Sequence, residues 1–332
     1  MDYIEGMGNP NEYLKQLETC PMIGFPTPPF EVFRAWKPER NIDLLLQMRS
    51  FIYANQPVTV RNCYYHFEKE LLAINAPRAV ANLSAEELRE TYLKNYHLTI
   101  RLLTKARLSG FIKCDWIVDD TREPLKTSSW SNINEILRAA AIQYRSDWQR
   151  NQAKYVEVWL EKRSLVRIFY PITDSYDVSL VPGGGYQSTD AIDDAAVRIR
   201  PRIRNNQEIV ILYFGDLNPS GKDMPRDIKA RLAEKGINVT LKEVALNQDD
   251  VFAYNLPRNP TKKNDSRCKW FKDKYPDVTY SVELDALEPS VLRQKIKDAI
   301  QGELDINEIL RCKAIDDQER QKAFERLGIT LD

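Results

Sequence analysis

The residues best suited to chemistry in this chain stand where apolar runs stop. Ile209 to Phe214 reads as a buried strand, and it ends abruptly at Gly215-Asp216, followed by Leu217, Asn218, Pro219, Ser220 and Gly221. An earlier run, "YVEVWLEK", carries Glu161 at its end. Two acids at two strand ends, with an amide just beyond the second, offer hard oxygen ligands. Mg²⁺ accepts such ligands through one or two carboxylates and keeps several of its waters. A substrate phosphate would complete the shell. Lys162 and Asp223 flank these positions and are further candidates for the site. A plainer reading makes Asp216 a cap for the helix that starts near Lys222. That reading leaves Glu161 and the glycines Gly183 to Gly185 of "PGGGYQST" without a reason. A phosphate cradle fits poorly, because a P-loop follows G-x-x-x-x-G-K-[ST]. Here Gly215 and Gly221 stand one residue too far apart, and Lys222 is followed by Asp223.

The elements that must position these residues alternate. "YVEVWLEK", "YDVSLVPGGG", "EIVILYFGD" and "NVTLKEVAL" read as strands. "LVRIFYPI", "STDAIDDAAVRIRPRI" and "MPRDIKARLAEKG" read as helices between them. Such alternation predicts a parallel sheet flanked by helices, in which ligands gather at the carboxyl ends of the strands. The first half of the chain has a different texture. "NIDLLLQMRSFIYANQ" has helical apolar spacing with Asn41 as a candidate N-cap. Pro57 to Thr59 reads as a turn from which the next helix starts. "SAEELRETYLKNYHLTIRLLTKARLSG" predicts a long helix, with a Ser84/Glu87 capping box at its start and Gly110 at its end. "FIKCDWIVDD" then alternates like a strand. Three helices and a short hairpin make either a winged-helix module or a small helical bundle. The predicted division is an arm over 1–44, a winged-helix domain over 45–128 and a connecting helix over 129–153. An α/β domain over 154–300 and a helical tail over 301–332 complete it.

Composition narrows the classes. The 332 residues suffice for about two or three domains. Lys plus Arg (48) equals Asp plus Glu (48), so any nucleic-acid binding would use a local patch and not a global field. The five cysteines are scattered, with no C-x-x-C pair and only His66 and His97 to assist them. A disulfide framework and a zinc site are both disfavoured, and reduced thiols suit a cytoplasmic protein. The start has neither a basic nor an apolar signal region. No apolar run reaches the roughly 18 residues of a membrane helix.

"EVWLEK…PGGG…VILYFGDLNPSGKDM" resembles the Toprim domain, an α/β metal fold of topoisomerases, primases and nucleases. In its pattern Glu161 matches the Glu and Asp216 the first acid of Asp-x-Asp, while Asn218 stands where the second acid is expected. Upstream, "PVTVRNCYYHF" is similar to the tyrosine motif of the topoisomerase VI A subunit and of the related meiotic double-strand-break transesterase. Those proteins place a winged-helix tyrosine domain before a Toprim domain, and the resemblance spans roughly residues 45–300. It implies that Tyr65 is the nucleophile, with Tyr64 beside it, that Arg61 assists, and that Mg²⁺ is the cofactor. Residues i and i+4 share a helix face, so Arg61 would sit beside Tyr65. A guanidinium there could stabilise a phenolate, whose unperturbed pKa is about 10, and hold a phosphate. The implied reaction is DNA strand cleavage through a phosphotyrosyl bond.

The implied partners are double-stranded DNA and a second copy of the chain, since one tyrosine cuts one strand. No ATPase segment is visible, so either a separate B-like ATPase subunit is a further partner or the chain is a stand-alone relative that cannot drive strand passage. The alternatives are a Toprim nuclease using metal-activated water and a non-catalytic DNA-binding protein with a decayed site. Three other stretches bear on these readings. Asp119, Asp120 and Arg122 could line a DNA path or form a local turn. Glu283 and Asp285, before a helix with Pro289 in its first turn, could supply the acid missing at Asn218 or act as caps. The basic run over 259–275, with Trp270 and Phe271, reads as a solvated loop or a phosphate-contacting one.

Overall fold

A computed structural model describes residues 40–75, 84–108, 110–118, 128–260 and 267–328. They group into two compact units. The first holds the residues up to 118 together with 251–260 and 280–292; the second holds 128–250, 267–279 and 293–328. This departs from the expected linear division, because 280–292 joins the tyrosine-bearing unit and not the α/β domain. Among the described residues no helix is long and apolar enough to cross a membrane.

In the first unit, α1 (Arg40–Asn55) presents Leu44, Leu45, Met48, Phe51 and Ile52 to a core shared with Val58, Cys63, Leu71, Leu103 and Ile112. Asn41 lies inside α1, not ahead of it, so it is not the cap, and the helix starts within the stretch expected as an arm. The short α2 (Val60–His66) begins at Thr59 as anticipated. The Thr59 hydroxyl accepts from the Asn62 amide at 3.1 Å, and Asn62 Oδ1 accepts from the Thr59 amide at 2.9 Å. This is a capping box with Asn in the place usually held by Glu or Gln. Then come α3 (Glu68–Asn75) and α4 (Ala85–Leu108). The Ser84 amide donates to Glu87 at 2.8 Å, and the Glu87 amide donates back to Ser84 Oγ at 3.3 Å.

The strand expected over "FIKCDWIVDD" is not formed by its described part. Cys114–Trp116 is a single 3-10 turn, and Ile117 makes one isolated parallel bridge to Val58. The physical reason is burial: Phe111, Ile112, Trp116, Ile117 and Val118 are all buried, so the alternation expected of a half-exposed strand is absent. Asp119, Asp120 and Arg122 lie outside the described residues, as does the arm before Arg40. The same unit contains a two-residue antiparallel ladder between Asn259–Pro260 and Tyr280–Ser281.

The second unit opens with α5 (Ile133–Gln143), capped by Asn132. It is shorter than the connecting helix expected over 129–153. Residues beyond it turn to hydrogen bonding with the rest of the unit: the Gln149 side chain accepts from the Val156 amide and donates to the carbonyls of Val156 and Asp177, through contacts of 2.7 to 3.2 Å. Four strands follow, β1 (Lys154–Leu160), β2 (Ser179–Pro182), β3 (Glu208–Phe214) and β4 (Thr240–Ala245). They are all parallel, in the order β2-β1-β3-β4. Between them lie α6 (Val166–Ser175), α7 (Thr189–Arg204) and α8 (Pro219–Glu234). This is the helix-flanked parallel sheet that the alternation predicts. Ile209, Ile211 and Tyr213 of β3 pack with α7 and α8, through Ile192, Ala195, Ile199, Ile228 and Leu232. The alternate residues face the other way, where Phe214 meets Phe169 of α6 edge-on at 5.0 Å. Both faces are covered, which is why β1 and β3 read as near-continuous apolar runs.

After β4 come α9 (Gln248–Ala253), the short α10 (Cys268–Lys274), α11 (Pro289–Gln301) and α12 (Ile306–Leu327). The described part of the basic run is thus largely helix and not open loop, with Phe271 buried.

Candidate functional site

Sheet order decides where ligand chemistry can gather in the second unit. From β1 the chain crosses to β2 on one side and later to β3 on the other. The crevice beyond the carboxyl ends of β1 and β3 is therefore the topological switch point, where open parallel sheets bind ligands. Glu161 follows β1 and Asp216 follows β3 by two residues, and the two meet there: Glu161 Oε2 accepts the Asp216 amide at 2.8 Å. The strand ends are stitched together by Glu161 N–H to Phe214 O (2.9 Å) and Gly215 N–H to Ala245 O (2.7 Å). Close approach depends on Gly221. A Cβ there would run into the Asp216 carbonyl oxygen and come within 2.9 Å of Glu161 Oε2.

The Asp216 carboxylate is buried and shared. Lys162 Nζ lies 3.2 Å from Oδ1, and the Asn218 side-chain amide donates to Oδ2 at 3.2 Å. Asn218 has a second duty. It is the N-cap of α8, its Oδ1 accepting the Gly221 amide at 2.8 Å, with Pro219 at the first helical position. The capping role assigned to Asp216 in the plainer reading thus belongs to Asn218. Glu161 and Asp216 together are a fitting donor set for Mg²⁺, hard oxygens from two adjacent strands. Among the described residues no three His, Cys, Asp or Glu side chains form a metal-binding group.

Asp223 looks elsewhere. It accepts Tyr186 Oη at 2.6 Å and Arg226 Nε at 2.7 Å. Burial opposes its charge, but these two bonds hold its carboxyl below the usual range. Lys222 pairs with Glu243 at 2.7 Å. A third acid, Glu157 in the middle of β1, was not singled out from the sequence. It is fully buried, yet every oxygen is engaged by Tyr155 (3.0 Å), Trp159 Nε1 (2.9 Å) and Arg198 (3.1 Å). That satisfaction makes it structural.

In the first unit, α2 buries Tyr64 and Tyr65. Tyr65 Oη lies 3.2 Å from Tyr92 Oη. Burial pushes its phenol far above the ordinary value, and the carboxylates of Glu283 and Asp285 add to the shift. Tyr64 donates to Glu68 at 3.0 Å. Arg61 was expected to face Tyr65. Its hydrogen-bond partner is Glu283 Oε2 at 2.8 Å, and its guanidinium stacks 6.0 Å from the Tyr96 ring. Burial opposes its charge, but Glu283 and Asp285 keep it firmly protonated. The Asp285 carbonyl accepts from Asn62 at 2.9 Å.

Glu283 and Asp285 therefore serve the tyrosine helix as partners of Arg61 and Asn62, a placement that sequence spacing could not show. Tyr92 and Tyr96 were missed as well. Their i,i+4 spacing in "ETYLKNYHL" was the available signal.

No protein-family model, curated protein or solved structure matches this chain.

Proposed function

We propose that this chain is a metal-dependent DNA-cleaving transesterase of the topoisomerase VI A type, with a winged-helix tyrosine half and a Toprim half. The observation that carries the reading is the meeting of Glu161 and Asp216 at the switch point of a parallel sheet. There the Glu161 carboxylate accepts the backbone amide of Asp216, which brings two acids far apart in sequence to neighbouring strand ends. The tyrosine helix adds support, since Arg61 and Tyr65 lie on one seven-residue helix that is capped at its start.

In the proposed reaction Tyr65 Oη forms a bond to a backbone phosphorus. The bond from that phosphorus to a deoxyribose oxygen breaks, and the sugar oxygen leaves with a proton. No ATP and no water are consumed. Arg61 holds a phosphoryl oxygen by charge-assisted hydrogen bonds. Tyr92 fixes the Tyr65 phenol in place. Mg²⁺, bound by Glu161 and Asp216 of a second copy of the chain, would stabilise negative charge on the phosphoryl oxygens. A double-strand break needs two copies of the chain, and strand passage would need a separate B-like ATPase.

A second reading is favoured by one observation: Tyr65 is only 5% exposed, and its phenol is held protonated. A Toprim nuclease that cleaves with metal-activated water would leave Tyr65 structural. Incubation with supercoiled plasmid and Mg²⁺, stopped with SDS, separates the two. Linear DNA that enters a gel only after protease, and that is lost in Tyr65→Phe, is the expected result. Cleavage without attached protein, retained in Tyr65→Phe, would establish the nuclease. Binding without cleavage under any metal would leave a non-catalytic DNA-binding protein.

A further inference from the structure

Arg258, in the first unit, is held by rings and not by an acid. It is exposed, and among the described residues no hydrogen bond or ion pair engages its guanidinium. The guanidinium instead lies over two aromatic rings, 4.8 Å from the centre of Phe252 and 4.8 Å from that of Tyr280. Local structure puts both rings there. The chain leaves α9 through Asn255, at φ of +48°. The Leu256 amide donates to Val251 O at 3.0 Å and the Asn255 amide to Phe252 O at 3.3 Å, the paired bonds of a Schellman turn with Asn at its left-handed position. Val251 and Leu256 are buried, while Phe252 is left 58% exposed. Tyr280 pairs with Pro260 in the short antiparallel ladder. Arg258 stands two residues before Pro260, the spacing that returns a side chain to one face of an extended chain, so it is the diagonal neighbour of Tyr280.

Stacking of this kind fixes a guanidinium without consuming it. The rings take the face of the group, whereas its five N–H donors lie in the plane and point outward. Those donors form a fork that matches phosphate oxygens, and holding the fork in place beforehand lowers the ordering cost of binding. An arginine placed for stability would be expected on a carboxylate, as Arg198 is on Glu157. The hydroxyl of Tyr280 adds a second sign. It is buried and has no hydrogen-bond partner among the described residues, a cost that an oxygen acceptor entering beside the guanidinium would relieve.

We propose that Arg258, set by Phe252 and Tyr280, binds a backbone phosphodiester of DNA. This rests on the DNA reading above. Phe252 is a positioning residue, which orients the guanidinium and touches no phosphate. Tyr280 stands three residues before Glu283, the partner of Arg61, so roughly 10 Å of chain at most separates the two. At about 3.4 Å of helix axis per nucleotide, the phosphate on Arg258 lies within a few nucleotides of the one on Arg61. It flanks the reacting phosphate, so the site contributes to affinity and register and not to sequence choice.

The test uses the full chain and a short fluorescein-labelled duplex, with anisotropy read across a salt series in EDTA and again in Mg²⁺. Arg258→Met is expected to weaken binding roughly threefold to tenfold and to lower the salt slope by about 1. Arg258→Lys keeps the charge and loses the fork, so it should keep the slope yet bind less tightly than the parent. Phe252→Leu keeps the arginine and removes one ring; it should weaken binding by less than Arg258→Met and leave the slope unchanged. Arg311→Met removes one charge from an arginine engaged with Glu308 on α12 and controls for bulk electrostatics. If Arg258→Met changes affinity and slope no more than Arg311→Met, the site is overturned while DNA binding by the chain stands. If the unaltered protein does not bind the duplex at any salt concentration, in EDTA or in Mg²⁺, the DNA reading itself fails and the site fails with it. Melting curves for each variant separate a lost contact from a lost fold.

Discussion

Replacing Asn218 by Asp tests the chemistry of the crevice through stability alone. The capping bond to Gly221 survives, since Asp and Asn are equivalent N-caps. The change falls on the other side-chain atom. At present an amide N–H donates to Asp216 Oδ2 across 3.2 Å; in Asn218→Asp a carboxylate oxygen would face a carboxylate oxygen. Two like charges about 4 Å apart repel by about 4 kcal/mol at an effective dielectric constant of 20. Lys162, which lies on Oδ1, offsets part of this repulsion. The lost hydrogen bond to a charged acceptor costs about 1.5–3 kcal/mol by itself. For a unit of this size each kcal/mol moves the melting temperature by roughly 2–4 °C, so Asn218→Asp in EDTA should melt about 3–12 °C below the parent from the lost hydrogen bond alone. A divalent cation between the facing oxygens reverses the sign. Mg²⁺ at about 100 times its dissociation constant would return about 2.7 kcal/mol, more than it gives the parent protein. Differential scanning fluorimetry of both proteins, with EDTA and with a Mg²⁺ titration, reads the effect. Equal melting in EDTA together with equal gains in Mg²⁺ would refute the placement of Asn218 against Asp216 and the crevice as a cation site.

Other outcomes follow from the same contacts. Gly221→Ala forces a methyl group against the Asp216 carbonyl and Glu161, and should cost about 1–3 kcal/mol or more in chemical denaturation. Gly236→Ala, at φ of +75° with open space around it, should cost less, from backbone strain alone. Arg198→Met strips the cation paired with the buried Glu157 carboxylate and should lower stability by about 1–3 kcal/mol, read by urea unfolding. Asp316 gives a pH signature. Burial opposes its charge, but the Trp148 indole N–H (2.6 Å) and the Ser146 amide (3.0 Å) hold its folded pKa below normal. A depressed folded pKa means stability that is present above the unfolded value of about 3.9 and lost as pH falls through the folded one. The melting gap between the parent and Asp316→Asn should therefore be widest near neutrality and close below about pH 4; a gap that stays constant down to acid would refute the assignment.

The sheet was legible because its physics is local. β1 and β3 are buried on both faces, so their apolar runs announce them, and the turn residues after each run mark the strand ends. The capping boxes were partly legible: Ser84 and Glu87 follow the usual pattern, whereas Thr59 uses Asn62, which the pattern omits. The failed strand over "FIKCDWIVDD" shows the limit. Alternation in sequence implies a half-exposed strand only if one face meets water, and here Ile112, Trp116 and Ile117 are all inside.

The types and order of the chemical residues were set by sequence alone: an acid after each of two buried strands, an amide two residues later, and two tyrosines on a short capped helix. Only tertiary structure decided what each one touches. Strand order put Glu161 and Asp216 in one crevice, since hydrogen bonding between β1 and β3 joins segments that no local rule connects. Packing gave Lys162 to Asp216, made Asn218 the cap of α8, and turned Asp223 toward Tyr186 and Arg226. It brought Glu283 back to Arg61 across more than two hundred residues of chain. Local propensity acts over a few neighbouring residues, whereas a buried charge must find its counter-charge wherever the fold places one.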